Sequence, residues 1–104
     1  VGAGAWLVVS GQVGLGDDAL ADGLSAQVTQ AVANLRGLLE SEGAALTDVV
    51  KTTVFLTDIE DYAAMNEAYT TAFGDHRPAR SAVAVAALPI GALVEVEAWA
   101  RVGG

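Results

Sequence analysis

The sequence has no cysteine, a single histidine and only five basic residues, and each scarcity excludes a class of protein. Without cysteine the chain cannot form disulfides, use a thiolate nucleophile or bind a metal through thiolates. One histidine, His76, is too few for a metal site built from several imidazoles. Five Lys and Arg stand against thirteen Asp and Glu, which gives a net charge of −8. Because nucleic acids and anionic membranes are bound through basic side chains, we expect neither as a partner.

Long apolar segments are also missing. The longest apolar runs fall far short of the roughly 20 residues that cross a bilayer, and no signal peptide is visible in the sequence. We therefore expect a cytoplasmic protein that does not associate with membranes. The chain begins at Val1 rather than Met and opens almost directly into strand-like sequence, so we allow for residues upstream and for a truncated first strand.

What is present is one small, apolar domain. The 104 residues, 53 % of them hydrophobic, fit a single domain over positions 1–104 without internal repeats. A core of this size buries only part of its apolar surface, so we expect some of the excess in a subunit interface. The alternative is a monomer with an Ala- and Val-rich core, since alanine adds little apolar area.

The first half of the chain predicts a strand followed by a helix. The strand "AWLVVSG" precedes a loop rich in Gly and Asp, and apolar residues at steps of three and four then predict a helix from about Gly23 to Glu42. The apolar stripe consists of Leu24, Val28, Ala31, Leu35, Leu38 and Leu39. Asp22 is the expected N-cap of this helix, and Gly43 is the residue expected to follow its C-terminus.

The second half holds another helix between strands. Residues 48–58 are β-branched and predict a strand, and Asp58 is the expected N-cap of the helix. The buried face of that helix should consist of Ile59, Tyr62, Met65, Tyr69 and Phe73. Two last strands are predicted at 81–89 and 93–102, joined by a turn at 89–91. This order predicts a two-layer α+β domain with both helices on one face of a mixed sheet.

The last strand separates two kinds of side chain. Val94, Val96, Ala98, Ala100 and Val102 alternate with Leu93, Glu95, Glu97, Trp99 and Arg101. The uniformly apolar face should pack on the helices, and the mixed face should be covered by another subunit. The Cα atoms of Glu95 and Glu97 lie about 6.5–7 Å apart on the mixed face, and a pair of partly buried like charges at that distance suits acid-base catalysis. The plainer alternative is that exposed glutamates keep the chain in solution.

Two arginines flank a proline in "RPARSAVAVAALP". The planar, permanently charged fork of Arg80 suits bidentate recognition of a substrate carboxylate, and the alternative is a salt bridge to one of the many acidic residues. Arg77 is expected in the turn as a surface residue. Gly11, which follows Ser10, would let a ligand approach the backbone closely, although an ordinary turn explains it as well. Asn66, on the second helix, could reach a cleft at the helix edge or pin a loop.

In this order the segments resemble a known family. Those that carry the resemblance are "SGQ" after a strand, "AQVTQAVANLRGLL", "VVKTTVFLTDIEDYAAMNEAY", "RPARSAVAVAALP" and "VEVEAWA". They are similar to the RidA/YjgF family of reactive intermediate deaminases, whose members are also called L-PSP endoribonucleases. The resemblance covers nearly the whole chain. It implies a chorismate-mutase-like α+β fold, assembled as a homotrimer with clefts between the subunits.

The resemblance also implies a reaction and its residues. Family deaminases hydrolyse enamines or imines, such as 2-aminoacrylate and 2-iminopropanoate, to 2-keto acids and ammonia without a metal or organic cofactor. By position, Arg80 matches the carboxylate-binding arginine, and Glu95 matches the residue that positions or activates water. Ser10, the Gly11 backbone and Asn66 match residues at the cleft. We expect the Arg80 guanidinium to lie against Glu95, either of the neighbouring strand-forming segment or of another subunit.

Three departures from the family pattern keep other functions open. Ala82 replaces a common cysteine, Arg77 replaces a common aromatic residue, and the family's G-P-Y segment ahead of the first strand is not in the sequence. A non-catalytic module that binds small 2-keto acids is therefore one alternative. An endoribonuclease is the other, and the net charge of −8 argues against it.

Overall fold

The computed structural model of the chain describes residues 4–102, so the expectation of a truncated first strand at Val1 lies outside it. The elements are β1 (Ala5–Val13), α1 (Leu24–Ser41), β2 (Val49–Leu56), α2 (Tyr62–Phe73), β3 (Ala79–Ala84) and β4 (Val94–Val102). Short 3-10 turns at Leu46–Asp48, Ile59–Asp61 and Pro89–Gly91 precede β2, α2 and β4. Neither helix of this part of the chain is long and apolar enough to cross a membrane.

The four strands form one mixed sheet in the order β1-β4-β2-β3. β4 runs antiparallel to both β1 and β2, whereas β3 runs parallel to β2. A parallel pair needs a crossover connection, and α2 supplies it between β2 and β3. β3 and β4 follow each other along the chain but are not neighbours, because β2 lies between them.

Both helices pack on the same face of the sheet, which confirms the predicted two-layer α+β fold. The apolar face of β4 lies beneath them, where Val94, Val96, Ala98 and Ala100 are fully buried. The helices contribute Val28, Ala31, Val32, Leu35 and Leu39 of α1, and Met65, Tyr69 and Phe73 of α2. The period of two in β4 and the helical period in α1 therefore predicted these buried faces.

Three side chains that we expected in the core are exposed instead. Leu38 of α1 is 45 % exposed, because of the consecutive residues Leu38 and Leu39 only Leu39 lies on the helix face that points at the sheet. Ile59 is 52 % exposed and lies in the 3-10 turn, where the rotation per residue differs from that of an α-helix. Tyr62, the first residue of α2, is 42 % exposed at the edge of the sheet.

The helix ends confirm one of the three predicted capping residues and correct the other two. Gly43 follows α1 with φ +80°, a conformation that glycine adopts without strain. Asp58 does not cap α2 itself, whose N-cap is Asp61. Its side chain caps the preceding 3-10 turn instead, where it accepts a hydrogen bond of 3.0 Å from the Glu60 amide. Asp22 is wrong as the N-cap of α1. Gly23 occupies that position with φ +89°, and no side chain caps the helix there.

Strand β3 is earlier and shorter than the predicted 81–89. Leu56, the last residue of β2, pairs with Ala84, so the β2–β3 ladder ends there. At its beginning, β3 includes Arg80, which pairs with Thr52 of β2. Arg80 therefore lies within an edge strand, where the neighbouring strand and the helix layer fix its direction.

Candidate active site

Strand β1 carries a bulge at Ser10 and Gly11. These two residues lie opposite the single residue Glu97, at the point where the register between β1 and β4 shifts. We expected the strand to end at Gly11, and this was wrong, because β1 continues to Val13. A bulge bends its strand and re-aims the local backbone, so it presents this segment to the surface without ending the ladder.

Gly11 leaves room for the carboxylate of Glu95. A β-carbon on Gly11 would lie less than 3.0 Å from Cγ, Cδ and Oε1 of Glu95. Glu95 is half-buried on β4, between Val13 of β1 and Phe55 of β2. The glycine thus permits a carboxylate to rest directly on the backbone of the bulge.

The face of β4 that carries Glu95 points away from the helices. Trp99 is 45 % exposed on it and packs edge-to-face on Trp6 of β1, with 6.0 Å between the ring centroids. The Arg101 guanidinium lies 5.5 Å from the centre of the Trp6 ring. Such a mixture of exposed indoles and charged groups is unusual for a solvent-facing sheet. It accords with a covering subunit, which remains a prediction.

Arg80 is directed to the other face of the sheet, under α2. Its strand partner Thr52 is buried there, and the Thr52 and Tyr69 hydroxyls are hydrogen-bonded at 2.7 Å. The Arg80 guanidinium donates to the Tyr62 hydroxyl at 2.9 Å and lies 4.8 Å from the centre of the Tyr69 ring. Its partners are two phenols rather than a carboxylate, so the structure shows a cation–π site in place of the salt bridge considered as the alternative.

Burial raises the pKa of Tyr69 above its usual value of 10.0. The hydrogen bond with Thr52 and the positive charges of Arg80 and Arg77 oppose this shift without cancelling it. Tyr69 is therefore a neutral phenol at neutral pH. It offers Arg80 the negative face of its ring rather than an ionised oxygen.

The structure does not bring Arg80 and Glu95 together within one chain. β2 separates the strands that carry them, and the two side chains leave the sheet on opposite faces. The expectation that Glu95 of the neighbouring segment faces Arg80 is thus wrong. A contact with Glu95 of another subunit stays a prediction.

Asn66 belongs to the side of the molecule that holds Arg80. It lies on α2 four residues after Tyr62 and three before Tyr69, a spacing that places the three residues on one helix surface. The predicted residues therefore form two groups. Ser10, Gly11 and Glu95 lie at the bulge, whereas Arg80 lies on β3 and Asn66 lies on the α2 surface that carries Tyr62 and Tyr69.

Sequence reasoning missed the two tyrosines as partners of Arg80 and assigned both to the core. Tyr69 is indeed buried, but Tyr62 is not. Their identity offered a signal, because a tyrosine in an apolar stripe carries a hydroxyl that needs a polar partner. Two tyrosines on a helix that packs over an arginine-bearing strand could have indicated that contact.

Two other polar residues serve the fold. His76 Nε2 bonds to the Val49 carbonyl at 2.7 Å and so ties the loop before β3 to the start of β2. Arg77 is exposed and donates to the carbonyls of Gly74 and His76, which confirms its expected place in the turn. In residues 4–102 no three His, Asp or Glu side chains meet as a metal ion would require.

A cavity of about 210 Å³ lies between β1 and the end of α1. It is lined by Leu7, Val8, Val9, Ser10, Gln12, Leu38, Ser41 and Glu42. Ser10 belongs to it, but Glu95 and Arg80 do not. The predicted residues therefore do not converge on a pocket of one subunit.

Comparison with known proteins assigns the family. The model of the family described as endoribonuclease L-PSP matches residues 1–102, almost the whole chain. The chain belongs to the L-PSP family. A relative in this family, the 2-iminobutanoate/2-iminopropanoate deaminase of Rattus norvegicus, is 43 % identical over 100 residues, which cover 93 % of this chain and 73 % of the rat protein.

Solved L-PSP family structures share the fold. RidA from an Antarctic Psychrobacter is 39 % identical with a TM-score of 0.90, over 98 % of this chain and 85 % of RidA. E. coli TdcF with bound serine is 31 % identical with a TM-score of 0.91, over 99 % of this chain and 85 % of TdcF. The resemblance to the RidA/YjgF family noted in the sequence is confirmed.

Proposed function

We propose that this L-PSP family protein is a deaminase that hydrolyses small 2-imino acids, such as 2-iminopropanoate and its enamine 2-aminoacrylate, to 2-keto acids and ammonia. The rat relative named for this activity supports the assignment. The observation that carries it is the Glu95 carboxylate resting on the Gly11 backbone, with a guanidinium held by phenols at the sheet edge. The Glu95 carboxylate is a proton acceptor beside accessible backbone, and the Arg80 guanidinium is a cation that can bind the substrate carboxylate. We also propose that the protein works in the cytoplasm.

The proposed active site is a cleft between subunits of a homotrimer. Arg80 and Glu95 leave one sheet on opposite faces, so a site that uses both needs two chains. The β3 edge of one subunit would approach the mixed face of β4 in the next. The exposed Trp6 and Trp99 on that face would then be covered, which favours association. Three equivalent contacts close a ring and create three clefts.

The chemistry needs orientation and proton transfer more than a strong nucleophile. Arg80 binds the substrate carboxylate and so fixes the imine carbon, C2, in place. When the substrate is the enamine, C3 first gains a proton from water and the nitrogen releases one to water, which gives the imine. Glu95 accepts a proton from water as the water oxygen bonds to C2. It returns this proton to the nitrogen, which gives a carbinolamine. Glu95 then takes the remaining hydroxyl proton and passes it to the amino group, so that the C2–N bond breaks and ammonia leaves as the carbonyl forms.

The proposal is tested by generating 2-aminoacrylate with a dehydratase and following release of the 2-keto acid. We expect the protein to accelerate release and Arg80→Ala to remove that acceleration. Arg36→Ala is the matched control, because Arg36 lies exposed on α1 and should leave the rate unchanged. Native mass spectrometry of the same samples should give a trimer. Release at the uncatalysed rate, or full activity of Arg80→Ala, would refute the proposal.

The two alternatives give different results in the same experiments. A carboxylate-binding module would bind a 2-keto acid through Arg80 without accelerating its release, a possibility raised by Ala82 in place of the family cysteine. An endoribonuclease would cleave RNA after stringent purification and lose that cleavage when a cleft residue is changed. The net charge of −8 and the glutamates beside the bulge disfavour contact with phosphates.

A further inference from the structure

The Arg80 guanidinium is held from two sides. The Tyr62 hydroxyl accepts a hydrogen bond of 2.9 Å from one of its N–H groups, and the centre of the Tyr62 ring lies 5.6 Å from the guanidinium carbon. Tyr69 presents its ring face at 4.8 Å, and its own hydroxyl is fixed by Thr52 at 2.7 Å. Arginine has a long, flexible side chain, so these contacts restrict both the position and the plane of the guanidinium.

The plane of the guanidinium matters for the proposed reaction. A carboxylate accepts two parallel N–H bonds only when it lies in the plane of the fork. A guanidinium has five N–H groups, so the bond to Tyr62 does not use up its capacity to bind a carboxylate. Because the Tyr62 hydroxyl accepts a hydrogen bond from one particular N–H group, it also determines which edge of the guanidinium remains free to bind a carboxylate.

The two tyrosines differ in what else they do. Tyr69 is 2 % exposed and belongs to the core, so its removal would disturb packing as well as Arg80. Tyr62 is 42 % exposed at the first residue of α2, and its hydroxyl lies at the sheet edge beside Arg80. The fold therefore gains little from this hydroxyl apart from the contact with Arg80.

We infer that Tyr62 is a positioning residue for Arg80. Its hydroxyl turns the guanidinium so that one edge of the fork faces the cleft and is ready for the substrate carboxylate. Tyr62 then acts through Arg80 and lowers the KM for carboxylate-bearing substrates. This inference rests on the proposed function of Arg80.

The test is the variant Tyr62→Phe, which removes the hydroxyl and keeps the ring. Because the lost bond is to a charged group, we expect KM for the imine, and Kd for unreactive 2-oxobutanoate, to rise about fivefold while kcat stays within about twofold. Ile59→Val, an exposed change in the preceding turn, is the control and should alter neither constant. The thermal unfolding midpoint of Tyr62→Phe should match that of the parent.

A second readout reports on Arg80 without any ligand. The chain has four arginines, Arg36, Arg77, Arg80 and Arg101, so their Nε–Hε signals can be assigned by substitution in an NMR spectrum. In Tyr62→Phe the Arg80 signal should shift and broaden, while those of Arg36 and Arg101 stay in place. A purely structural role for Tyr62 would not single out one arginine.

The outcomes separate this inference from the proposed function. If Tyr62→Phe leaves the Arg80 signal and the Kd for 2-oxobutanoate unchanged while Arg80→Ala abolishes binding, the positioning role is refuted and the proposed function stands. If the parent binds 2-oxobutanoate through Arg80 but does not hydrolyse the imine, the proposed function fails. The rise in Kd and the shifted Arg80 signal would then still support the role of Tyr62.

Discussion

Three glycines of this chain differ in what an added methyl group would meet, and a series of alanine variants can therefore separate stability from catalysis. Gly14→Ala places a methyl group against helix backbone, and Gly11→Ala places it against a flexible carboxylate. Gly37→Ala places it in open space. None of the three glycines has a positive φ. The neighbours of the new methyl group therefore decide the result.

Gly14→Ala should be the destabilising member. Its β-carbon would lie 2.5 Å from Cα and 2.6 Å from the carbonyl oxygen of Gln27, both part of the α1 backbone. Backbone cannot rotate away, so α1 would have to move off the end of β1, at a cost of about 2–3 kcal/mol. That movement would also strain the bond of 2.8 Å that the Gln27 side chain accepts from the Leu93 amide.

Gly11→Ala should leave stability almost intact and damage catalysis. Its methyl group meets the end of the Glu95 side chain, which can swing aside, so we expect the free energy of unfolding to change by less than about 1 kcal/mol. The carboxylate then leaves the position proposed for proton transfer. Because a positioned general base contributes about 10²–10⁴ in rate, we expect imine hydrolysis to fall at least about 100-fold.

Gly37→Ala is the matched control. It lies exposed within α1, a β-carbon there has nothing within 4 Å, and alanine should stabilise the helix by about 0.5–1 kcal/mol. Urea unfolding followed by circular dichroism gives the stabilities, and the 2-aminoacrylate assay gives activity per folded protein. Full activity of Gly11→Ala would refute the role given to the Glu95 position. Parental stability of Gly14→Ala would refute the close approach of β1 to α1.

Two further predictions concern stability. Because burial raises the pKa of Tyr69 above 10.0, the unfolded chain ionises first, and the unfolding free energy should fall as the pH rises through 10 toward the folded-state pKa. Tyr69→Phe removes this dependence, so the difference in unfolding free energy between parent and variant should narrow from about pH 8 to about pH 11 in urea titrations. A difference that stays constant over this range would contradict the prediction. Asn34 donates to the carbonyls of Val13 and Leu15 at 3.1 and 2.9 Å, so Asn34→Ala should cost about 1–2 kcal/mol and speed amide exchange in the loop after β1. Unchanged exchange there would refute its role in holding the loop.

Local periodicity predicted most of the secondary structure. The helical stripe of α1 and the alternation of β4 each repeat over many residues, so single deviations such as Leu38 did not hide the pattern. Prediction was wrong where the local geometry changed. Ile59 falls in a 3-10 turn, Asp22 is replaced by Gly23 as the N-cap, and the bulge at Gly11 continues a strand that we expected to end.

The residues of the candidate site were named from sequence, but their arrangement was not. Arg80 stood out by the scarcity of basic residues, and Glu95 by its place in an alternating strand. Tyr62 was assigned to a buried stripe, although it lies exposed beside Arg80. A stripe shows which side of a helix is apolar, but it does not show where the sheet beneath that helix ends.

The sequence by itself determined what this protein lacks, which face of β4 is buried and which side chains are proposed to carry chemistry. These properties follow from composition and from the fixed direction of side chains along one strand or helix. Only the tertiary structure decided that β2 lies between β3 and β4, and that Arg80 and Glu95 therefore leave the sheet on opposite faces. Strand order and register depend on pairing between segments far apart in the chain, and no local period encodes them.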